Sequence, residues 1–194
     1  MQVARKYPYE PWRISDYTPV EERLRIMTDI ALEGQTFPSV QALAYQARSM
    51  ACAVQSVCTG PTTRDATLIL AASALQVVQS LYYRLDHVGE EWFQSTDYTI
   101  VNGGDCEDLG VMLTAINGLL GLKSRLVWVY QPGHSLNHLS TQLWLDAPHG
   151  SYERPTGHGE WLWEDPSIRG AALGEHPYAA LKRLGTTRVD LKAA

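Results

Sequence analysis

Gly103-Gly104-Asp105-Cys106-Glu107-Asp108 runs directly into Leu109-Gly110-Val111-Met112-Leu113-Thr114-Ala115-Ile116-Asn117-Gly118-Leu119-Leu120, and the rest of the chain is arranged around this junction. Leu109, Met112, Leu113, Ile116, Leu119 and Leu120 recur at i, i+3, i+4, i+7, i+10 and i+11, the pattern of one buried helical face. Such a helix belongs in the core. The two glycines allow a turn of unusual backbone angles, Asp105 suits the N-cap, and Asp108 three residues on is its reciprocal acidic partner. Cys106 is then the first helical residue. Its N–H lacks an intrahelical acceptor and its sulfur lies near the positive end of the helix dipole, where a thiolate or an oxyanion is favoured. A free cysteine is more commonly a small buried hydrophobe. Asp105, Glu107 and Asp108 also oppose ionisation of the sulfur, so a cationic partner has to come from elsewhere in the chain.

Length and charge narrow the choices. The 194 residues suit one domain, with residues 1–62 as an N-terminal helical extension, 63–168 as the core and 169–194 as a closing helix and tail. The 16 basic and 21 acidic residues form no runs of either sign, which gives nucleic-acid binding no support. The N-terminus lacks the apolar region of a secretory signal, and the most apolar segment, Ala66 to Val78, is short and interrupted by Ser73 and Gln76. The expectation is a soluble, cytoplasmic protein without membrane contact. Three cysteines neither pair evenly nor fall at zinc-finger spacing. Cys52 and Cys58 share one expected helix, about 9 Å apart along its axis, and read as packing residues.

Taken in order, residues 1–17 form a proline-broken aromatic segment in extended form. Thr18-Pro19-Val20-Glu21 starts a helix with Thr18 as cap, and Gly34 ends it. A second helix opens near Ser39 with Val40, Leu43, Ala44, Ala47, Met50, Ala51, Val54 and Cys58 on one face. A third runs from Thr63 with a stripe through Ala66, Ile69, Leu70, Ala74, Val77, Val78, Leu81 and Leu85. From Asp86 to Asn102 the periodicity is lost, and an irregular loop is expected, either one wall of a cleft or a structural loop with half-buried aromatics. After the central helix the period changes to two. Arg125 to Tyr130 and His138 to Leu145 are strands, Asp146 to Gly159 is a long polar loop, Trp161 to Asp165 is a third strand stopped by Pro166, and Pro177 to Leu184 is a closing helix. Trp161 and Trp163 read as sheet core. The fold class is α+β: a helical N-terminal half and a nucleophile-bearing helix packed on a small antiparallel sheet.

Antiparallel pairing of the last two strands sets the start of one against the end of the next, bringing His138 beside Asp165. A one-residue slip would turn Asp165 to the other face. Together with Cys106 these residues fill the roles a thiol enzyme needs. Cys106 attacks a carbonyl, His138 holds the ion pair and protonates the leaving group, and Asp165 orients the imidazole and stabilises its charge. The Cys106 N–H is one oxyanion donor; Gln94 and Trp92 in the preceding loop are candidates for the second. His134, four residues before His138, suggests a metal pair, but the residues between them read as loop, so no metal and no cofactor is expected. His87, His149, His158 and His176 read as exposed loop residues.

Gly104-Asp105-Cys106-Glu107-Asp108, Gly121-Leu122-Lys123-Ser124-Arg125-Leu126-Val127, His138 at a strand start and Trp163-Glu164-Asp165-Pro166 together resemble the transglutaminase-like superfamily of papain-fold cysteine enzymes, in a small prokaryotic-type form. The resemblance covers about residues 64 to 168. It implies a papain-like core with Cys106 as nucleophile, His138 as base and Asp165 completing the triad. The chain departs from that pattern in the long insertion between His138 and Asp165 and in lacking the extra domains of animal transglutaminases. The expected activity is hydrolysis of a peptide or other amide bond through a thioester, acting on a peptide or protein substrate. The alternatives are transfer of the acyl group to an amine, as a protein-glutamine gamma-glutamyltransferase does, and a non-catalytic binding or assembly module.

Overall fold

The computed structural model describes residues 12–13, 18–55, 61, 63–86, 91–130, 137–146 and 159–183. Cys58, His87, His134, His149, His158, most of the Asp146 to Gly159 loop, the tail beyond Arg183 and most of the aromatic N-terminus lie outside them. Within the described residues the chain is mixed α+β, with six helices and a three-stranded antiparallel sheet.

The first helix, α1 (Val20–Gly34), starts one step later than its capping sequence suggests. Pro19 takes the N-cap position in extended conformation and no side chain caps the helix. Thr18 contributes its carbonyl instead, accepting from Arg23 Nε at 3.1 Å. The second helix, α2 (Pro38–Gln55), buries Val40, Ala44, Ala47 and Ala51, but Val54 is 70% exposed, so the apolar stripe outruns the contact it serves. Thr63 caps α3 (Arg64–Gln79), its hydroxyl accepting from the Ala66 N–H at 3.1 Å. This helix stops well short of Leu85, which is exposed. The backbone that would have extended it is used elsewhere: Tyr83 forms a parallel bridge with Gly104, through Gly104 N–H to Tyr82 O at 3.2 Å and Arg84 N–H to Gly104 O at 2.9 Å.

The segment before Cys106 corrects the expectation of an irregular loop. Trp12–Arg13 (β1) pairs antiparallel with Trp92–Phe93 (β2), and a short helix α4 (Thr96–Asn102) follows. Ser95 caps α4 by accepting from the Tyr98 N–H at 3.3 Å. Its buried face is Thr96 and Thr99, which carry no apolar signal, and this hid the helix from a reading by periodicity.

The central helix α5 (Cys106–Leu119) is buried nearly all round, as a core helix between two layers should be. It packs against α1, α2 and α3 on one side and against the sheet on the other. Gly110 allows the close approach of the sheet, since a β-carbon there would meet Leu139 Cδ2 at 3.0 Å. The helix ends at Leu120 and Gly121, whose φ of 76° reverses the chain.

The sheet has the order β3 (Ser124–Tyr130), β4 (Asn137–Leu145), β5 (Glu160–Glu164). Leu139, Leu143 and Leu145 are buried toward the helices, and the register Leu143 opposite Leu162 puts Leu162 on that same face. Trp161 and Trp163 alternate with it, so they are half-buried on the outer face and are not the sheet core that their size suggests. There Trp161 meets Trp144 edge-on at 5.1 Å between ring centres, with the Arg125 guanidinium 4.1 Å from the Trp161 ring. The chain closes with α6 (Pro177–Arg183). No described helix is long and apolar enough to cross a membrane.

Candidate active site

Cys106 opens α5 with Asp105 as its N-cap, and the Asp105 carboxyl accepts from the Glu107 N–H at 3.1 Å. The two glycines ahead of it are needed for close approach. Gly103 has a φ of 77°, and a β-carbon there would lie 2.5 Å from the Tyr82 carbonyl oxygen. At Gly104 it would strike Asp108.

Asp108 does more than close a capping box. Its carboxyl accepts from the Gln94 N–H at 2.9 Å and from Gln94 Nε2 at 2.5 Å, tying the loop after β2 to the first turn of α5. Burial pushes its pKa well up, with the Gln94 and Asp105 N–H groups pulling the other way. Gln94 is itself buried, its NH2 engaged by Asp108. Trp92 pairs with Arg13 in the small ribbon, and its N–H donates to Asp86 at 2.6 Å.

His138 stands at the start of β4, and Asp165 follows the last residue of β5. Thr141 lies opposite Glu164, and continuing that register by one residue sets Asp165 across from Ser140, on the same face as His138. The two side chains meet diagonally, His138 Nε2 to Asp165 Oδ2 at 2.6 Å. The other carboxylate oxygen accepts from Ser167 N–H at 3.0 Å, Ser167 Oγ at 2.7 Å and Ile168 N–H at 3.2 Å. Burial works to raise the Asp165 pKa, but the imidazole's charge and hydrogen bond, with the Ser167 contacts, hold it below the ordinary range. Burial likewise works to lower the His138 pKa, and the Asp165 charge and hydrogen bond, helped by Glu107, leave it raised. The pair is built to carry an imidazolium.

The sulfur is set differently. Cys106 Sγ donates to Glu107 Oε2 at 2.8 Å, so among the described residues its side-chain partner is a carboxylate. Burial, the charges of Glu107 and Asp105, and that hydrogen bond push the thiol pKa well up. The backbone N–H of Leu139, the residue after His138, pulls weakly the other way. Cys106 therefore rests as a thiol, its proton held toward Glu107.

Sequence reasoning missed two neighbours. Glu107 was legible as an acidic residue, but nothing in the sequence distinguished it from Asp108 as the one turned onto the sulfur. Tyr83 was not singled out at all. Its bridge to Gly104 holds it beside the nucleophile turn, and its pKa is raised by burial and then by the charges of Cys106, Asp105, Glu107 and Asp165. Its phenol stays protonated, a hydrogen-bond donor within the field of both halves of the site. Glu91 is pushed up to about 7, chiefly by burial and by Glu107, against the pull of Arg23 at 3.3 Å.

Ligand atoms of Asp105, Cys106 and Glu107 lie within 4.8 Å of one another, a spacing compatible with a cation. His176 is exposed, with its ring 4.8 Å from Trp163. The residues thus define an α+β protein with a thiol at the start of its core helix, hydrogen-bonded to Glu107, and a buried imidazole–carboxylate pair at the ends of β4 and β5. Compared with protein-family models, curated proteins and solved structures, the chain matches none.

Proposed function

We propose that this chain is a thiol-dependent hydrolase of the transglutaminase-like type on a papain-like core, cleaving a peptide or other amide bond through a thioester on Cys106. The observation that carries the reading is the 2.6 Å contact of His138 Nε2 with buried Asp165, in a chain whose Cys106 opens the core helix. Nε2 is committed to Asp165, which leaves Nδ1 as the ring atom for proton transfer. One proton has to leave the thiol before attack; Glu107 Oε2 at 2.8 Å holds it on the sulfur, and it passes to water as the substrate displaces that carboxylate.

Attack then forms a C–S bond, with the Cys106 N–H at the helix start facing the developing oxyanion. The C–N bond breaks as the leaving nitrogen takes the imidazolium proton. Water gives a proton to the imidazole and its oxygen to the acyl carbon, and the C–S bond breaks to leave thiolate and imidazolium; the thiolate then takes back a proton from water as Glu107 returns to the sulfur, which restores the resting thiol. Tyr83 joins Gln94 and Trp92 as a candidate second oxyanion donor. It is favoured because its hydroxyl keeps its proton, whereas the Gln94 NH2 is engaged by Asp108.

The test is incubation with a glutamine-containing casein and a labelled amine, with Cys106→Ala as control. New peptide termini that need Cys106 support hydrolysis. Incorporated amine supports acyl transfer. Neither product, with Cys106 inert to iodoacetamide, leaves a binding module and removes the enzyme.

A further inference from the structure

Gln79 is the last residue of α3 and carries none of the chemistry of the thiol site, yet its side chain reaches the loop that carries Asp165. Its Nε2 lies 3.0 Å from Asp165 O, 3.0 Å from Ile168 O and 3.1 Å from Ala171 O. An amide NH2 has only two hydrogens, so three carbonyls from one loop share two donors at a single point. Without that point, three carbonyl dipoles would converge next to a carboxylate, relieved only at Ile168 O, which accepts from the Ala171 N–H at 3.0 Å.

The other bonds on Asp165 do not do the same work. Ser167 and Ile168 belong to the turn that Asp165 begins, so they hold the carboxylate relative to its loop and travel with it. Gln79 ties that loop to a helix. The same helix leads out through Ser80 and Leu81 to Tyr83, whose bridge to Gly104 locates the nucleophile turn. The end of α3 is therefore in register with both halves of the site, with the acid through Gln79 and the thiol through Tyr83.

We propose that Gln79 is a positioning residue: by gathering the carbonyls of Asp165, Ile168 and Ala171 it sets the Asp165 carboxylate against His138. This rests on reading His138 and Asp165 as parts of the thiol site. The test uses the full chain with Gln79→Met, which keeps bulk and removes the donors, Gln79→Glu, which keeps shape with acceptors only, and Gln79→Lys, which restores N–H donors. His138 is titrated by NMR on histidine-labelled protein, thermal melting checks the fold, and Cys106 alkylation by iodoacetamide is followed against pH.

The expected result is a fall of about one unit in the His138 pKa for the Met variant, roughly tenfold less imidazolium above that pKa. The charges added by the Glu and Lys variants act on the imidazolium in the opposite sense, raising and lowering its pKa, so a fall in Glu with recovery in Lys runs against charge and reports position. An unchanged His138 titration in folded Gln79→Met overturns the proposal. Should the Met variant not fold, the uncharged Gln79→Asn decides, its amide too short to reach the three carbonyls: a lowered His138 pKa supports the proposal, and an unchanged one overturns it. Failure of the underlying reading looks different. His138→Ala would then leave Cys106 alkylation unchanged, whatever the Gln79 variants do to the histidine.

Discussion

Replacing Glu164 by glutamine separates a neutral buried acid from a buried charge. Glu164 is fully buried between β5 and α5, where Oε2 accepts from Asn117 Nδ2 at 2.9 Å. Among the described residues Glu164 Oε1 and Asn117 Oδ1 have no hydrogen-bond partner. A proton on Oε1 supplies the missing donor, and Asn117 Oδ1 is the acceptor that lacks one, so acid and amide can satisfy each other. Burial pushes the Glu164 pKa up to about 8 from 4.5, against the pull of the Asn117 hydrogen bond. Between those two values the folded chain holds a proton that the unfolded chain has lost, so stability is complete below 4.5 and falls as pH rises toward 8. The slope is about 1.4 kcal/mol per pH unit, which gives roughly 5 kcal/mol across the interval. Glutamine reproduces the neutral acid, its NH2 facing Oδ1 and its carbonyl facing Nδ2, and does not titrate. Urea unfolding followed by tryptophan fluorescence from pH 4 to 9 should show the variant gaining on the parent as pH rises, with the difference levelling off above pH 8. Parallel stability curves would mean that Glu164 is ionised throughout, and the pairing argument would fail.

Glu107→Gln removes the carboxylate that holds the thiol proton, so Cys106 alkylation at pH 7 to 8 should rise by about tenfold for each unit its pKa drops; a slower reaction would make Glu107 an activator. Asp165→Asn removes the charge that sustains the imidazolium, so the His138 pKa should fall below 6.5 under its burial penalty, as NMR titration would reveal. Gly103→Ala forces a side chain into positive φ against the Tyr82 carbonyl and should cost about 1–3 kcal/mol in urea unfolding. An unchanged midpoint would mean that the turn relaxes freely.

Parts of this site are legible in the sequence because one physical constraint fixes each. The apolar period after Cys106 allows only a buried helix, and Asp105 then has to cap it. The alternation of Leu139, Leu143 and Leu145 fixes the register of β4, since a slip of one residue would expose all three, and the same register turns His138 and Asp165 to a common face. The parts that could not be read depend on contacts with no period. Thr96 and Thr99 bury an inward face that looks polar, so α4 is invisible to hydrophobic patterning. Leu81 and Leu85 continue the stripe of α3, although the backbone has already left the helix for Gly104. Gln79 reaches carbonyls far along the chain, and no spacing rule connects an amide to a loop it will meet only after folding.

The two halves of the site push protons in opposite directions. Around His138 a buried carboxylate with saturated hydrogen bonds favours the charged ring, while around Cys106 two acidic neighbours and burial favour the neutral thiol. A thiolate forms only when something offsets Glu107, and the candidates are the Leu139 N–H, the helix start, or positive charge brought by a ligand. The resting arrangement is thus a restrained nucleophile, with its restraint on the residue directly after it. A substrate whose carbonyl enters the helix-start donors and displaces the Glu107 carboxylate from the sulfur would release that restraint only where attack can follow, coupling activation of the thiol to occupancy of the cleft.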